Sequence, residues 1–258
     1  MSSVVTRSAL LLGITALFVA SIAVASVKDT EEFTFKINDG GRISLENING
    51  DIRITGYEGD TVIIIANKKA GKQEYMDELK IIIDADDDYI RIETRHPRNK
   101  GSWMNWGNNH SGSVSYVMTV PAGVNLDKIS TVNGDIEISS MSGKVKAETV
   151  NGDLFASGLK SDVDLETVNG GVDAEFDSLS GNQRVSAEAV NGKIVLRLPA
   201  DTSARVHAET VNGSINAKDF DLVIDKGFVG RECDGDIGSG EARISLDTVN
   251  GSISIVKR

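Results

Sequence analysis

Carboxylate side chains recur at one position of a repeated motif, and they are the first candidates for chemistry in this sequence. An acidic residue stands directly before the threonine position in six copies of the motif: Glu46, Glu148, Glu166, Glu188, Glu209 and Asp247. Because carboxylate oxygens suit Ca²⁺, this column is able to form a row of weak divalent-cation sites. The alternative is a solvated acidic face, partly neutralised by a basic column that includes Arg42, Lys144 and Arg184. We favour the solvated face and predict no metal site and no cofactor.

A second acidic cluster, DADDD at residues 84–88, lacks the pattern of a calcium loop. An EF-hand needs glycine at its sixth position and glutamate at its twelfth. Counted from Asp84, these positions hold Tyr89 and Arg95. We therefore predict a polar turn between two strands.

The candidate binding residues are Trp103 and Trp106, which are the only two tryptophans of the chain. They lie in the polar segment RHPRNKGSWMNWGNNHSGS, residues 95–113. Aromatic side chains among amides suit stacking on a sugar ring or contact with a partner protein. The alternative is that both indoles fold back and cover the side or end of the protein.

Signatures of catalysis are missing from the sequence. The three histidines lie far apart, and there is no GxSxG, HExxH, CxxC or phosphate-loop motif. Some parallel β-helices cleave acidic polysaccharides with Asp, Arg and Lys gathered on one face, and Asp153 and Asp173 near Arg184 are candidates for such a cluster. We predict no catalytic residues and keep a polysaccharide-active enzyme as the alternative.

The elements that must position these residues follow from a repeat built on Asn-Gly. A β-branched residue followed by Asn-Gly occurs seven times. The predicted structural corners are Asn49, Gly50, Asn133, Gly134, Asn151, Gly152, Asn169, Gly170, Asn191, Gly192, Asn212, Gly213, Asn250 and Gly251. Apolar residues alternate with mostly polar ones on both sides of each corner. This period of two predicts a strand, a bend and a second strand, with one face buried.

Two architectures fit the repeat: an antiparallel meander with Asn-Gly hairpins, or a β-solenoid in which equivalent residues stack. The solenoid is favoured because Asn persists in all seven copies, although Asp-Gly would serve a hairpin as well. Stacked asparagines can form hydrogen-bonded ladders, and the glycine would allow a sharp turn with positive φ. We predict an all-β fold, a right-handed parallel β-solenoid with about 18–22 residues per coil.

The chain divides into three parts by pattern. Residues 1–25 form a predicted signal peptide with cleavage near Ala25, because an apolar run ends in a small-x-small site. Residues 26–125 form a more irregular N-terminal β part or cap, and residues 126–258 form the regular solenoid, within one continuous domain 26–258. The irregular part holds predicted strands at 61–66, 79–84, 89–94 and 113–121 and a polar loop at 67–78. Asp234-Gly235 is interpreted as a decayed corner.

Composition excludes several classes of partner. The net charge of −11 argues against nucleic acid and anionic membrane surfaces. No segment after the signal peptide is apolar enough to span a bilayer, so we expect an exported protein in the periplasm or at the cell surface. Cys233 is the only cysteine, which leaves a partly buried small residue or an intermolecular bridge as its interpretations.

Three segments resemble a known family: YVMTVPAGVNLDKISTVNGDIEI, the ETVNG corners and the closing GDIGSGEARISLDTVNGSISI. The family is the bacterial "putative adhesin" group, an exported domain of unknown function with repeated β-strands, and the resemblance covers roughly residues 33–257. It implies a right-handed β-solenoid in an exported or envelope protein and supplies no catalytic residues. We therefore predict a non-catalytic, adhesin-like binding or scaffolding protein whose partner is an envelope protein or a polysaccharide. The alternative is a β-helical polysaccharide lyase or hydrolase, or a carbohydrate-binding protein.

Overall fold

Strands account for most of the structure. The computed structural model describes residues 26–97, 112–226 and 230–258, so the predicted signal peptide lies outside the described residues. The described residues form 21 strands, the helix α1 at Gln73–Glu78 and a 3₁₀ turn at Lys218–Phe220. The strands are β1 Val27–Lys36, β2 Arg42–Glu46, β3 Ile52–Tyr57, β4 Thr61–Ala70, β5 Lys80–Ala85, β6 Tyr89–Arg95, β7 Gly112–Pro121, β8 Asn125–Asn133, β9 Ile136–Ser139, β10 Val145–Asn151, β11 Leu154–Leu159, β12 Val163–Asn169, β13 Val172–Phe176, β14 Arg184–Asn191, β15 Ile194–Leu198, β16 Ala204–Thr210, β17 Ile215–Asn216, β18 Asp225–Lys226, β19 Arg231–Ile237, β20 Ala242–Asn250 and β21 Ile253–Lys257.

The strands form two sheets, and the repeat region alternates between them. The first sheet has ten strands in the order β1-β4-β7-β3-β9-β11-β13-β15-β21-β17. The second has eleven, in the order β18-β19-β16-β20-β14-β12-β10-β8-β2-β6-β5. Equivalent strands pair in parallel, with Val145 opposite Val163 and Asn151 opposite Asn169. The predicted all-β fold with stacked parallel strands is confirmed, and the Asn-Gly corners are not hairpins.

The core lies between the two sheets and consists of the apolar columns of the repeat. Their side chains point inward because they occupy alternate positions on each strand. The buried residues before the corners are Ile43, Leu45, Ile129, Val145, Ala147, Val163, Leu165, Val185, Ala187, Val206, Ala208, Ile244 and Leu246. Those after the corners are Ile52, Ile54, Ile136, Ile138, Leu154, Ala156, Val172, Ala174, Ile194, Leu196, Ile215, Ala217, Ile253 and Ile255. Cys233 is also buried in this core, so its thiol is not exposed at the surface for an intermolecular bridge.

Side-chain hydrogen bonds join each corner to the next. Six of the seven corner asparagines donate from Nδ2 to Oδ1 of the asparagine in the neighbouring coil, for example Asn151 to Asn133 at 2.9 Å, whereas Asn49 donates to the Gly112 carbonyl. The same bond recurs at 2.8–3.0 Å through the stack. Two residues before the asparagine, threonine hydroxyls donate to glycine carbonyls of the neighbouring coil, as Thr149 Oγ1 does to Gly134 at 3.0 Å. Two ladders of hydrogen bonds therefore run along the stack.

Close approach to a neighbouring carbonyl requires glycine at all seven corners, whereas four of them do not need it for their backbone dihedral. A Cβ added at Gly192 would overlap the carbonyl oxygen of Gly170 in the neighbouring coil. The other stacked corners show the same overlap, whereas Gly152, Gly192, Gly213 and Gly251 do not have positive φ. The expectation that these glycines serve a turn with positive φ is therefore wrong for four of the seven corners.

The order of the stack departs from the order of the chain. The last coil, β20 and β21, lies between the coil of β14 and β15 and the coil of β16 and β17. Accordingly, Asn250 donates to Asn191 at 2.8 Å, and Asn212 donates to Asn250 at 3.0 Å. The predicted decayed corner at Asp234-Gly235 is wrong, because both residues lie inside β19, which runs antiparallel to β16.

The irregular N-terminal part covers one end of the stack. β4 runs antiparallel between β1 and β7, and β6 pairs with the first coil at β2. The predicted polar loop at 67–78 is wrong, because β4 continues to Ala70 and α1 follows. The polar composition of the segment, which includes Lys68, favoured a loop. In the strand, the buried Lys68 ammonium pairs with Asp29 at 3.1 Å and Glu31 at 2.5 Å. No helix among the described residues is long and apolar enough to cross a membrane.

Candidate functional site

A long groove runs across the outer face of the eleven-stranded sheet, at the corner end of its strands. Its volume is about 770 Å³. It crosses eight consecutive strands, from β6 and β2 through β8, β10, β12, β14 and β20 to β16. At about 4.8 Å per strand, this corresponds to a length of about 34 Å. We call it the acid–valine groove.

Two rows of side chains flank the buried threonine ladder in this groove. The acidic row contains Glu93, Glu46, Glu148, Glu166, Glu188, Asp247 and Glu209, with Ser130 at the β8 position. The aliphatic row contains Ile48, Val132, Val150, Val168, Val190, Val249 and Val211. Each aliphatic side chain is 38–41% exposed. A continuous row of exposed β-branched residues on one face is typical of a contact surface.

Sequence reasoning missed the aliphatic row, although its signal was present. The valine of TVNG stands at the same outward phase as the glutamate two residues earlier, as Val150 and Glu148 show. A polar residue is expected at an outward position, so the persistence of valine or isoleucine in all seven copies was the informative feature. That the two rows line one groove depends on which strands lie side by side, which the alternation does not encode.

The acidic row is neutralised in one half only. Glu46, Glu148 and Glu166, in the β2–β12 half, have basic partners. The pairs are Arg91–Glu46 at 3.4 Å, Lys128–Glu46 at 3.6 Å, Lys128–Glu148 at 3.5 Å and Lys146–Glu166 at 3.1 Å. The pKa of Lys146 is raised by its hydrogen bonds to Asp164 and Glu166. This half of the groove therefore resembles the solvated, paired face expected from the sequence.

The other half carries carboxylates without such partners. Glu188, Asp247 and Glu209 lie directly opposite one another on β14, β20 and β16. Within the described part of the chain, none of the three forms an ion pair with lysine or arginine. Partial burial and the charges of Glu166 and Asp247 raise the pKa of Glu188. Like charges directly opposite one another on a sheet destabilise it, so this half of the groove favours a positively charged neighbour.

His207 lies at the end of this unpaired half. Its Nδ1 is 2.8 Å from Asp234 Oδ1, and this hydrogen bond raises the pKa of the imidazole. His207 belongs to two groups of three residues whose possible metal-ligand atoms lie within 4.8 Å of one another. One group is His207, Glu232 and Asp234, and the other is His207, Glu209 and Asp247. These are the side chains able to hold a divalent metal. Glu209 and Asp247 belong to the acidic column seen in the sequence, whereas His207, Glu232 and Asp234 were not indicated because β19 pairs with β16 outside the repeat.

The arrangement around His207 does not activate a nucleophile. Ser245 lies opposite His207 on β20, in line with Asp234 on β19. However, the Ser245 hydroxyl donates to Asp247 at 3.0 Å. An activated serine would instead bond to the imidazole nitrogen that accepts its proton.

The structure does not assemble the other residues singled out in the sequence. Asp173 pairs with Arg197 on the ten-stranded sheet, whereas Arg184 begins β14 on the eleven-stranded sheet, so the proposed cluster with Asp153 does not form. The acidic run 84–88 ends β5 and turns into β6, with the Asp88 N–H donating to Asp86. Trp103 and Trp106 lie outside the described residues.

Comparison with known proteins places the fold. The family model described as Toastrack DUF4097 matches residues 42–256. A "putative cell adhesion protein" of Clostridium sporogenes ATCC 15579 has a similar solved structure, with a TM-score of 0.50 and 17% identity over 89% of this chain and 100% of that one. A "putative adhesin" of Bacteroides fragilis NCTC 9343 matches with a TM-score of 0.42 and 13% identity over 88% and 97% of the two chains. No curated protein matches the sequence. The chain therefore belongs to the Toastrack DUF4097 family of adhesin-like domains of unknown function.

Proposed function

We propose that this protein is a non-catalytic binding or scaffolding module of the cell envelope and that its ligand lies in the acid–valine groove. The observation that carries the proposal is the row of seven half-exposed aliphatic side chains, which spans seven coils without interruption. A surface that only needs to be soluble would place polar residues there. The cell-adhesion description of the Clostridium sporogenes protein supports a binding role.

The remaining expectations from the sequence belong to the same proposal. We infer a right-handed winding with coils of about 18–22 residues within one continuous domain, residues 26–258, since parallel crossovers are almost always right-handed. Export through the signal peptide 1–25 would bring the groove to the periplasm or the cell surface. Trp103 and Trp106 are proposed as additional contact residues, and the partner is an envelope protein or polysaccharide.

The test is retention of the purified protein on isolated cell envelopes and on a panel of envelope polysaccharides. The groove variant is Val150→Thr/Val168→Thr/Val190→Thr, which keeps the β-branched shape and removes apolar surface. The control variant is Val117→Thr/Val223→Thr, which changes exposed valines outside the groove. We expect the groove variant to lose retention while the control retains it.

Two results would count against this proposal. Retention that the groove variant keeps, but Trp103→Ala/Trp106→Ala loses, would move the binding surface to the 95–113 segment. Release of reducing ends or unsaturated sugars from any polymer would show a polysaccharide-active enzyme instead.

A further inference from the structure

Among the described residues, the charged side chains that line the acid–valine groove are all carboxylates. Glu188, Asp247 and Glu209 have no lysine or arginine partner in the described part of the chain, and His207 lies beside the last two. At the opposite end, Asn47 is 5% exposed and lines the groove. Its amide Nδ2 donates to the Val114 carbonyl at 2.9 Å, whereas its Oδ1 accepts no hydrogen bond from the described residues. The Oδ1 atom itself is buried and does not face a ligand. The three adjacent carboxylates on β14, β20 and β16 therefore carry the inference, and they favour a ligand with positively charged N–H donors.

The lining also excludes several ligand classes. No aromatic, lysine or arginine side chain lines the groove in the described part of the chain. Planar stacking on sugar rings therefore has no platform, and anionic polymers or lipid headgroups would meet a wall of like charge. A ligand must instead combine aliphatic surface with positive charge.

We propose that the groove binds an extended polypeptide segment in which cationic residues alternate with aliphatic ones. This inference deepens the proposed function, because it names the ligand class of the same groove. Successive side chains of an extended chain point to opposite sides. A segment lying along the groove would thus direct its aliphatic side chains to the valine row and its cationic side chains to the acidic row. About ten residues, at about 3.3 Å each, span the length of the groove.

The distribution of charge also gives the segment a polarity. Lysine and arginine side chains already neutralise Glu46, Glu148 and Glu166. The cationic groups of the ligand therefore bind mainly over Glu188, Asp247 and Glu209, at the β14–β16 end.

The test is calorimetric titration of the purified protein with a peptide of about ten residues in which lysine and valine alternate. One variant is Glu188→Gln/Asp247→Asn/Glu209→Gln. The matched control, Glu46→Gln/Glu148→Gln/Glu166→Gln, changes the net charge equally but removes carboxylates that are already paired. We expect the first variant to weaken binding about tenfold or more and the control to weaken it only slightly. A peptide with glutamate in place of lysine should not bind.

Each remaining result has a defined meaning. Equal loss in both carboxylate variants would show attraction by net charge alone and would overturn the proposal. Binding that survives Val150→Thr/Val168→Thr/Val190→Thr unchanged would also overturn it, because the aliphatic row would have no part. Binding of Ca²⁺ or Zn²⁺ near His207 that blocks the peptide would assign these carboxylates to a metal. Failure of the peptide to bind, while envelope retention still depends on the valine row, would reject the cationic ligand and leave the proposed function standing.

Discussion

At the scale of single residues, the number of ladder hydrogen bonds that a corner asparagine makes depends on its position in the stack. Asn169 donates to Asn151 at 2.9 Å and accepts from Asn191 at 3.0 Å, so its side chain makes two ladder bonds. Asn212 donates to Asn250 and receives no bond from a further corner. The difference arises because the stack of Asn-Gly corners ends at Asn212 among the described residues.

We expect Asn169→Ala to lower the free energy of unfolding by about 1–2 kcal/mol, since it removes two exposed hydrogen bonds. Asn212→Ala should cost about half as much. Urea denaturation of the two variants beside the wild type measures both values. Equal losses would show that the ladder does not contribute through its bonds.

His207 provides a prediction about pH. Its hydrogen bond to Asp234 raises the pKa of the imidazole above the ordinary value of about 6.5. The stabilisation is therefore fully present below about pH 6.5 and is lost as the pH rises through the raised pKa. NMR titration should show a pKa above the ordinary value in the wild type and close to it in Asp234→Asn. Thermal unfolding should lose less stability between about pH 6 and pH 8 in His207→Gln than in the wild type.

At the scale of elements, the threonine ladder has one missing step. Ala189 on β14 occupies the position that threonine holds on its neighbours, with Thr167 and Thr248 opposite it. The threonines around it donate to glycine carbonyls, as Thr167 does to Gly152 at 3.0 Å. The equivalent acceptor for β14 is the carbonyl of Gly170.

Ala189→Thr should therefore stabilise the protein by about 0.5–1.5 kcal/mol, because it adds the missing hydrogen bond. Ala187→Thr is the matched control two residues earlier on the same strand, where the added hydroxyl would enter the apolar core. The control should destabilise the protein, since a buried hydroxyl without a partner is costly. A destabilised Ala189→Thr, measured by the same urea denaturation, would show that the site has no room for the larger side chain.

The elements also show how far the sequence predicts the fold. The apolar columns identify the buried faces from Ile43 to Ile255, because burial on alternate positions is written directly into the residue types. The residue types do not specify which coils lie next to each other. All seven corners have the same chemistry, so Asn250 can bond to Asn191 as well as a consecutive coil could. The groove escaped prediction for a related reason, since its shape depends on which coils lie side by side.

At the scale of the whole molecule, the last coil behaves as an interior element. β20 is paired with β14 on one side and β16 on the other, and β21 is paired with β15 and β17. We expect the amides of Ile244 and Ile255 to exchange with deuterium as slowly as those of the central coil at Leu165, because buried, fully paired strands open only with the whole fold. Hydrogen-exchange mass spectrometry measures this. Fast exchange of residues 242–257 would contradict the inserted position.

This insertion has a consequence for how the protein is made. A chain that leaves the ribosome or a translocation channel does so from its N-terminus, so residues 204–216 emerge before the strands that separate them from residues 184–198. Until residues 242–257 follow, the edges of β14 and β15 stay open, and open parallel edges are templates for aggregation. The coil of β16 and β17 must either stay unpaired until then or pair incorrectly with the open edges of β14 and β15. Synthesis through residues 242–257 is thus a condition of correct assembly, and a chain that stops before them would leave the coil of β16 and β17 without its neighbour in the stack.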